Sequence, residues 1–295
     1  MKILVTDADN FVGAAVLIAL SRVSWAEPIA GTPKSSAQHL LGCDVIFHCL
    51  GSVPKNIKSS ARALFDAASQ LPSRPVIVLL SSMTVYGAAE GLIDERAPLR
   101  ADISAYGDAH IEAERIALNY PRSIILRPGV EYGPGAKAWG ERVARWLKSR
   151  RMGDLGAVGD GYCNLVHVDD LAQAVLLAIQ TPEAIGQTFN LAMKSPPRWN
   201  EYFIRLGLAL GAVPIRRITQ RRLSLEMRLL APALKILELT LGRLTGGRWH
   251  PPPAIPPSFR AVAMQEIVLD SSLAYNVLGW RPRDLDLSPS APSRH

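Results

Sequence analysis

The sequence predicts an α/β protein: a Rossmann-like doubly wound parallel sheet with a smaller, mostly helical C-terminal part. Three observations carry that expectation. Short apolar runs alternate with helix-period segments through the first two-thirds of the chain, the runs stop after Leu191, and the remainder is helical and punctuated by proline. The runs are continuously apolar rather than alternating, as parallel strands covered on both faces require.

The elements follow in order. Strands are expected at 2–6, 28–31, 44–49, 76–81, 123–127, 164–168 and 188–191, each bounded by turn residues or a helix start. Helices are expected at 12–25, 57–69, 104–119, 140–150 and 169–180, where apolar residues recur at three- and four-residue steps. Beyond Leu191 come helical stretches at 199–211 and 220–244, an extended proline tract at 251–257 and a closing segment at 270–283. No internal repeat is visible.

Composition bounds the function. A chain of 295 residues is about two domains' worth, and 48% apolar with 20% charged residues excludes a disordered, collagen-like or disulfide-framework protein. The three cysteines, Cys43, Cys49 and Cys163, are odd in number and lack metal-ligand spacing; they read as reduced thiols, with no metal site expected. The start of the chain lacks the apolar stretch of a signal peptide, and the apolar run 223–241 is interrupted by charges and a proline. The expected location is cytoplasmic, extending to the inner face of a membrane.

Charge narrows this further. The formal net charge is +7, and 215–249 holds most of it: Arg216, Arg217, Arg221, Arg222, Arg228, Lys235, Arg243 and Arg248 face only Glu226 and Glu238. Leu223, Met227, Leu230, Leu234, Leu237 and Leu241 form a stripe at helical spacing in the same segment, expected to pack on the sheet domain or cover a substrate cleft. A solvated basic face, an anionic substrate and an anionic membrane surface stay open for the arginines, whereas nucleic acid is not expected, because no recognised module accompanies the charge.

In an open parallel sheet, ligands bind outside the carboxyl ends of the strands. The residues there read Thr6-Asp7-Ala8-Asp9-Asn10-Phe11-Val12-Gly13, Phe47-His48-Cys49-Leu50-Gly51 and Ser81-Ser82-Met83-Thr84-Val85-Tyr86-Gly87. Further on come Tyr106-Gly107-Asp108-Ala109-His110, Arg127-Pro128-Gly129-Val130-Glu131-Tyr132-Gly133-Pro134-Gly135, Val166-His167-Val168-Asp169-Asp170 and, near the end, Leu278-Gly279-Trp280.

This series, in this order, resembles the extended short-chain dehydrogenase/reductase family, the NAD(P)-dependent epimerases, dehydratases and 3β-hydroxysteroid-dehydrogenase-like oxidoreductases. The resemblance implies NAD or NADP on the sheet and hydride transfer at a secondary alcohol or keto carbon. It also implies a serine and a Tyr-x-x-x-Lys pair handling the proton, and a C-terminal part binding a small-molecule substrate, often a nucleotide sugar. On that basis 1–128 and 162–193 form the dinucleotide-binding domain, 129–161 and 194–287 the substrate domain, and 288–295 a tail. A homodimer is a further expectation.

The departures matter as much as the match. The family's three loop glycines fall at Asp7, Asn10 and Gly13, so only the last is kept. Aspartate and asparagine tolerate the turn, but a carboxylate at Asp7 opposes two phosphates at a helix start. The resemblance places the cofactor on Asp7, Asn10, Phe11, Val12, Gly13, Lys34, Leu50, Gly51 and Pro128. Lys34, with Ser35 and Ser36, either contacts an NADP phosphate or forms an exposed turn, and the short interval before Asp44 implies one lost strand–helix unit.

At the catalytic positions stand Ser82 and Tyr106, while His110 replaces the lysine; four residues apart on a helix, Tyr106 and His110 share a face. Thr84, with Met83, stands where the resembled dehydratases carry an Asp-Glu pair, which disfavours dehydratase chemistry, and Val130 stands where the 4-epimerases carry an asparagine. With Arg216 and Arg217, these two are the expected substrate contacts. Asp169 or Asp170 is expected to cap the helix that follows His167. Three readings remain: a working NAD(P)-dependent oxidoreductase or epimerase with an anionic, sugar-nucleotide or lipid-like substrate; a pseudoenzyme with weakened cofactor binding; and a redox-free acid/base enzyme using Ser82, Tyr106 and His110.

Overall fold

A computed structural model describes residues 1–31, 40–101, 104–234, 237 and 253–287. Six strands build the main sheet: β1 (Lys2–Thr6), β2 (Glu27–Gly31), β3 (Val45–Cys49), β4 (Val76–Leu80), β6 (Ser123–Pro128) and β9 (Thr188–Leu191). All pair in parallel, in the order β2-β1-β3-β4-β6-β9, with Ile3 opposite Pro28 on one side and Val45 on the other. The order reverses at β1, which puts the topological switch point between the carboxyl ends of β1 and β3.

Strand alternation divides the side chains into two buried layers. Ile3, Val5, Phe47, Val78, Leu126 and Phe189 pack against Val16 and Leu20 of α1 (Phe11–Ser21) and Leu171 and Val175 of α5 (Val168–Gln180). On the opposite face Leu4, Ile46, Ile77, Leu79 and Ile125 meet Ile57, Leu64 and Phe65 of α2 (Pro54–Ser69) and Ala109, Ala113 and Ala117 of α3 (Ala105–Leu118). Local chemistry starts these helices where they are needed. Asn10 caps α1, Pro54 opens α2, and Ser104 caps α3 by accepting from the Gly107 amide.

Several expectations are corrected. The strand at 164–168 is β8 (Leu165–His167), which lies outside the main sheet and pairs with β7 (Val130–Tyr132). Strands do not end at Leu191: β10 (Ile267–Leu269) pairs with β5 (Gly91–Ile93), and Asn164 holds β10 by donating to the Ile267 carbonyl and accepting from the Leu269 amide. The helix cap is His167, whose Nδ1 accepts from the Asp169 amide; Asp170 instead holds Arg283.

The chain forms two compact units: Met1–Gly133, Asn164–Ser195 and Ile267–Asp284; and Pro134–Cys163, Pro196–Glu266 and Leu285–His295. The closing segment, expected with the substrate domain, belongs to the first unit, because α9 (Ser272–Val277) packs on β9 and the Trp280 indole donates to the Asp170 carbonyl.

The second unit has an aromatic core of Trp139, Trp146, Trp199, Tyr202, Phe203 and Phe259, carried by α4 (Arg142–Lys148), α6 (Trp199–Ala209), α8 (Phe259–Ala263) and the turn before α4. The helix expected at 220–244 is α7 (Gln220–Leu225), a wider π-type turn at Glu226–Leu230, and one further helical turn to 234. Of its apolar stripe, Leu223 and Met227 are buried but Leu230 and Leu237 are exposed, so the expected packing face is only half covered. Leu241, Lys235, Glu238, Arg243 and Arg248, like Lys34, Ser35, Ser36 and the 288–295 tail, lie outside the described residues.

Candidate active site

The first β–α turn matches a pyrophosphate cradle in its backbone and opposes one in a side chain. Asp7 follows β1 with φ 49°, the left-handed conformation the first loop glycine normally serves. Its carbonyl accepts from the Asn10 amide, and a Cβ on Gly13 would stand 2.3 Å from that carbonyl oxygen, so only glycine lets the helix start this close. Asn10 fills the middle position by accepting from the Gly13 amide at 2.8 Å and donating to Cys49 Sγ at 3.0 Å. Asp7 Oδ2 stands 3.7 Å from where a Cβ on Gly51 would be, which sets the carboxyl at the switch point. Burial and the charge of Asp9 raise its pKa, so it is neutral over more of the acid range than a solvated aspartate. The turn thus fits a dinucleotide, with Asp7 ionisation as the opposing term.

The other expected cofactor positions are a mixed set. Phe11 is partly exposed at the start of α1, Val12 and Leu50 place their side chains in the core, and Pro128 ends β6 beside Leu191. Beneath this edge Thr6 Oγ1 hydrogen-bonds His48 Nδ1 at 2.9 Å and accepts from the Cys49 amide. Burial lowers His48 to about 4, so the ring is neutral at physiological pH.

Ser82, after β4, caps the 3-10 turn Met83–Tyr86. Its oxygen accepts from the Thr84 amide at 3.3 Å and from Thr84 Oγ1 at 3.0 Å, and its side chain also hydrogen-bonds Tyr106. Gly107 makes this junction possible, since a Cβ there would lie 2.7 Å from the Thr84 carbonyl. The rings of Tyr106 and His110 meet edge to face, 4.4 Å between centroids. Both nitrogens of His110 are buried without a hydrogen-bond partner among the described residues, and burial lowers it to about 4. The expected neighbour of Tyr106 is therefore in place, but it carries no charge near neutrality.

One turn further along the same stripe of α3, Glu114 receives a two-pronged contact from Arg127: Nε to Oε1 at 3.0 Å and Nη2 to Oε2 at 2.6 Å. Ser81 donates to the same carboxylate. Arg127 Nη1 also donates to the Tyr86 hydroxyl, which donates to Asn190 Oδ1 at 2.6 Å. This buried network ties α3 to the ends of β4, β6 and β9.

Val130, whose amide donates to the Asn164 carbonyl, and Tyr132 are buried; Glu131 between them is partly buried. The Glu131 carboxyl is desolvated enough to be pushed up to about 7, and its charge raises both the Tyr106 phenol and the Cys49 thiol. In the second unit, Arg216 is exposed and its carbonyl accepts from the Asp154 amide, while Arg217 Nη1 lies 3.8 Å from Asp154 Oδ2.

Sequence reasoning assigns no role to Glu131 or to the Glu114–Arg127 support. The spacing of Tyr106, His110 and Glu114 at successive four-residue steps carries the signal for the second. For Glu131 the only hint is an acid between two residues of a strand-forming loop. Among the described residues no cluster of three or more His, Cys, Asp or Glu side chains could hold a metal ion.

A parallel sheet with its switch point at β1/β3 and a Ser–Tyr pair on the same carboxyl edge defines a Rossmann-like fold with a candidate site at that edge. Residues 32–192 match the model of the NAD dependent epimerase/dehydratase family, and the chain belongs to that family. Families of this kind are NAD(P)-dependent. Protein YeeZ of Escherichia coli strain K12 is 30% identical over 142 residues, 48% of each chain, so the chain spans about half the length of the curated relatives it matches. Among solved structures, UDP-glucuronic acid 4-epimerase from Bacillus cereus, in complex with UDP-glucuronic acid and NAD, superposes with TM-score 0.69 at 17% identity, covering 97% of this chain and 95% of that one. The human epimerase family protein SDR39U1 (isoform 2) with NADPH gives 0.72 at 17%, covering 97% and 96%.

Proposed function

We propose that the protein is an NAD(P)-dependent oxidoreductase of the epimerase type, acting at a secondary alcohol or keto carbon of a small molecule. The observation that carries this is the Thr84–Ser82–Tyr106 hydrogen-bond chain in a chain of this family, on the same carboxyl edge of the sheet as the switch-point turn. The turn from Asp7 to Gly13, with Leu50, Gly51 and Pro128, would hold the dinucleotide, which supplies or takes up hydride when bound. Ser82 polarises the substrate oxygen, and Thr84 fixes the Ser82 hydroxyl so that it aims at Tyr106. Tyr106 exchanges its proton with that oxygen. His110 supplies the wall that holds the phenol ring. The sugar-nucleotide ligand of the Bacillus cereus neighbour supports an anionic substrate.

Tyr106→Phe should leave NADH and NADPH affinity unchanged and lower turnover of a carbonyl substrate by roughly 100-fold or more; unchanged turnover would exclude Tyr106 as the proton group. A second reading, a pseudoenzyme, draws on Asp7 alone. Homodimeric assembly and a cytoplasmic location are proposals too, the first checked by light scattering on the eluting protein. No helix among the described residues is long and apolar enough to cross a membrane. Peripheral contact with anionic membrane is proposed for α7 and the turn after it, where Leu225, Leu229 and Leu230 are exposed near Arg221, Arg222 and Arg228. Co-sedimentation with anionic but not neutral vesicles, lost at high salt, is expected; equal recovery with both would dismiss it.

A further inference from the structure

The amino ends of the strands, opposite the edge that carries Ser82 and Tyr106, hold a cleft of about 440 Å³ within the first unit. Small-molecule sites run from roughly 300 to 1,000 Å³ and are mostly apolar with a few convergent polar groups. This cleft has that make-up. Val45, Val76 and Ile124, at the starts of β3, β4 and β6, line it with buried apolar surface, and the partly buried Ile179 and Ile185, at and beyond the end of α5, extend that surface. Arg74 and Arg122 also line it, and both are exposed.

Neither guanidinium has an ion pair or a hydrogen bond among the described residues, the carbonyls at the end of α5 included. Two other polar side chains of the lining are already committed. Asp44 Oδ2 accepts from the Lys2 amide at 2.7 Å, and Thr181 Oγ1 donates to the Leu177 carbonyl at 2.8 Å. Among the lining side chains, two cations therefore stand against one carboxylate. Arg74, just before Pro75, holds φ 30°, in the left-handed region that suits glycine, so the backbone gains nothing from arginine there.

We propose that this cleft is a second ligand site, for an amphipathic monoanion of the medium-chain carboxylate class. The alkyl chain covers the apolar lining and leaves water with it. The carboxylate takes the unused donors of Arg74 and Arg122, charge-assisted bonds that the planar guanidinium fork suits. Strands β1, β3 and β4 have five residues each, so roughly 16 Å of sheet separates this cleft from the switch-point turn. The site is thus distinct from the dinucleotide crevice.

Calorimetric titration of the unmodified protein with octanoate, octan-1-ol and acetate tests this. Octanoate should bind one-to-one. Octan-1-ol, which has the chain without the charge, and acetate, which has the charge without the chain, should each bind roughly tenfold more weakly or worse. Arg122→Gln should weaken octanoate by roughly tenfold. Arg74→Gly should do the same with the fold intact by thermal unfolding, since glycine suits that backbone, which separates lost binding from lost structure. Millimolar NADH should leave the octanoate titration unchanged. The absence of saturable octanoate binding would overturn the proposal, as would octan-1-ol binding just as tightly or an affinity unchanged in either arginine variant. Displacement of octanoate by NADH would overturn it too, by putting the ligand in the cofactor crevice.

Discussion

At Asp7 the chain turns with φ 49°, and the same residue carries a carboxyl into the crevice where a dinucleotide's phosphates would lie. The backbone role and the charge pull in opposite directions, and the raised pKa links them. A group whose neutral form is the one compatible with an anion gives tighter binding below its pKa and weaker binding above it. Dinucleotide affinity should therefore fall as pH rises through the Asp7 titration. Asp7→Gly removes the charge and suits the left-handed turn, and should tighten NADH or NADPH by roughly tenfold near neutrality, or about 1.4 kcal/mol, while flattening the pH dependence. Fluorescence titration at two pH values reads both effects; unchanged affinity would show that the carboxyl turns away from the phosphates. This much is legible in the sequence, because a Rossmann loop has fixed positions and Asp7 sits on one. Glu131 is not legible in the same way. It sits on β7, a three-residue strand too short to announce its pairing or its facing.

Among the elements, α3 carries most of the site on one stripe. Tyr106 meets Ser82, His110 backs Tyr106, and Glu114 anchors the helix to Arg127. The Glu114–Arg127 pair is buried and its remaining hydrogen-bonding groups are met by Ser81 and Tyr86, the condition under which a buried ion pair is tolerated. Arg127→Met strands the Glu114 carboxylate and should destabilise the fold by about 3–5 kcal/mol in chemical denaturation. A loss within about 0.5 kcal/mol, the range of ordinary surface substitutions, would mean that the network contributes no net stability. Long helices and fully buried strands are readable from periodicity because each repeats its signal several times. The strands β5, β7 and β10 have three residues each, and pairings such as Ile267 with Gly91 join parts of the chain that no local window spans.

For the whole molecule, the doubly wound parallel sheet is what the alternation of strands and helices predicts, and the family match and the structural neighbours agree with it. The boundary of the sheet unit is less legible, since Ile267–Asp284 returns to it through β10, Trp280 and the Arg283–Asp170 pair, contacts with no signature before folding. The charge surplus resolves into residues with different circumstances. Arg151 is held by Glu226 in a partly buried pair and Arg217 approaches Asp154, while Arg221, Arg222 and Arg228 are exposed. The central claim is that this sheet still receives a nicotinamide dinucleotide despite Asp7. Its most direct test is calorimetric titration of the unmodified protein with NADH and with NADPH up to millimolar concentration. The account predicts saturable one-to-one binding of at least one of them, tighter at acid pH, toward the Asp7 titration, than at pH 8. The absence of saturable binding with either cofactor at either pH would contradict it.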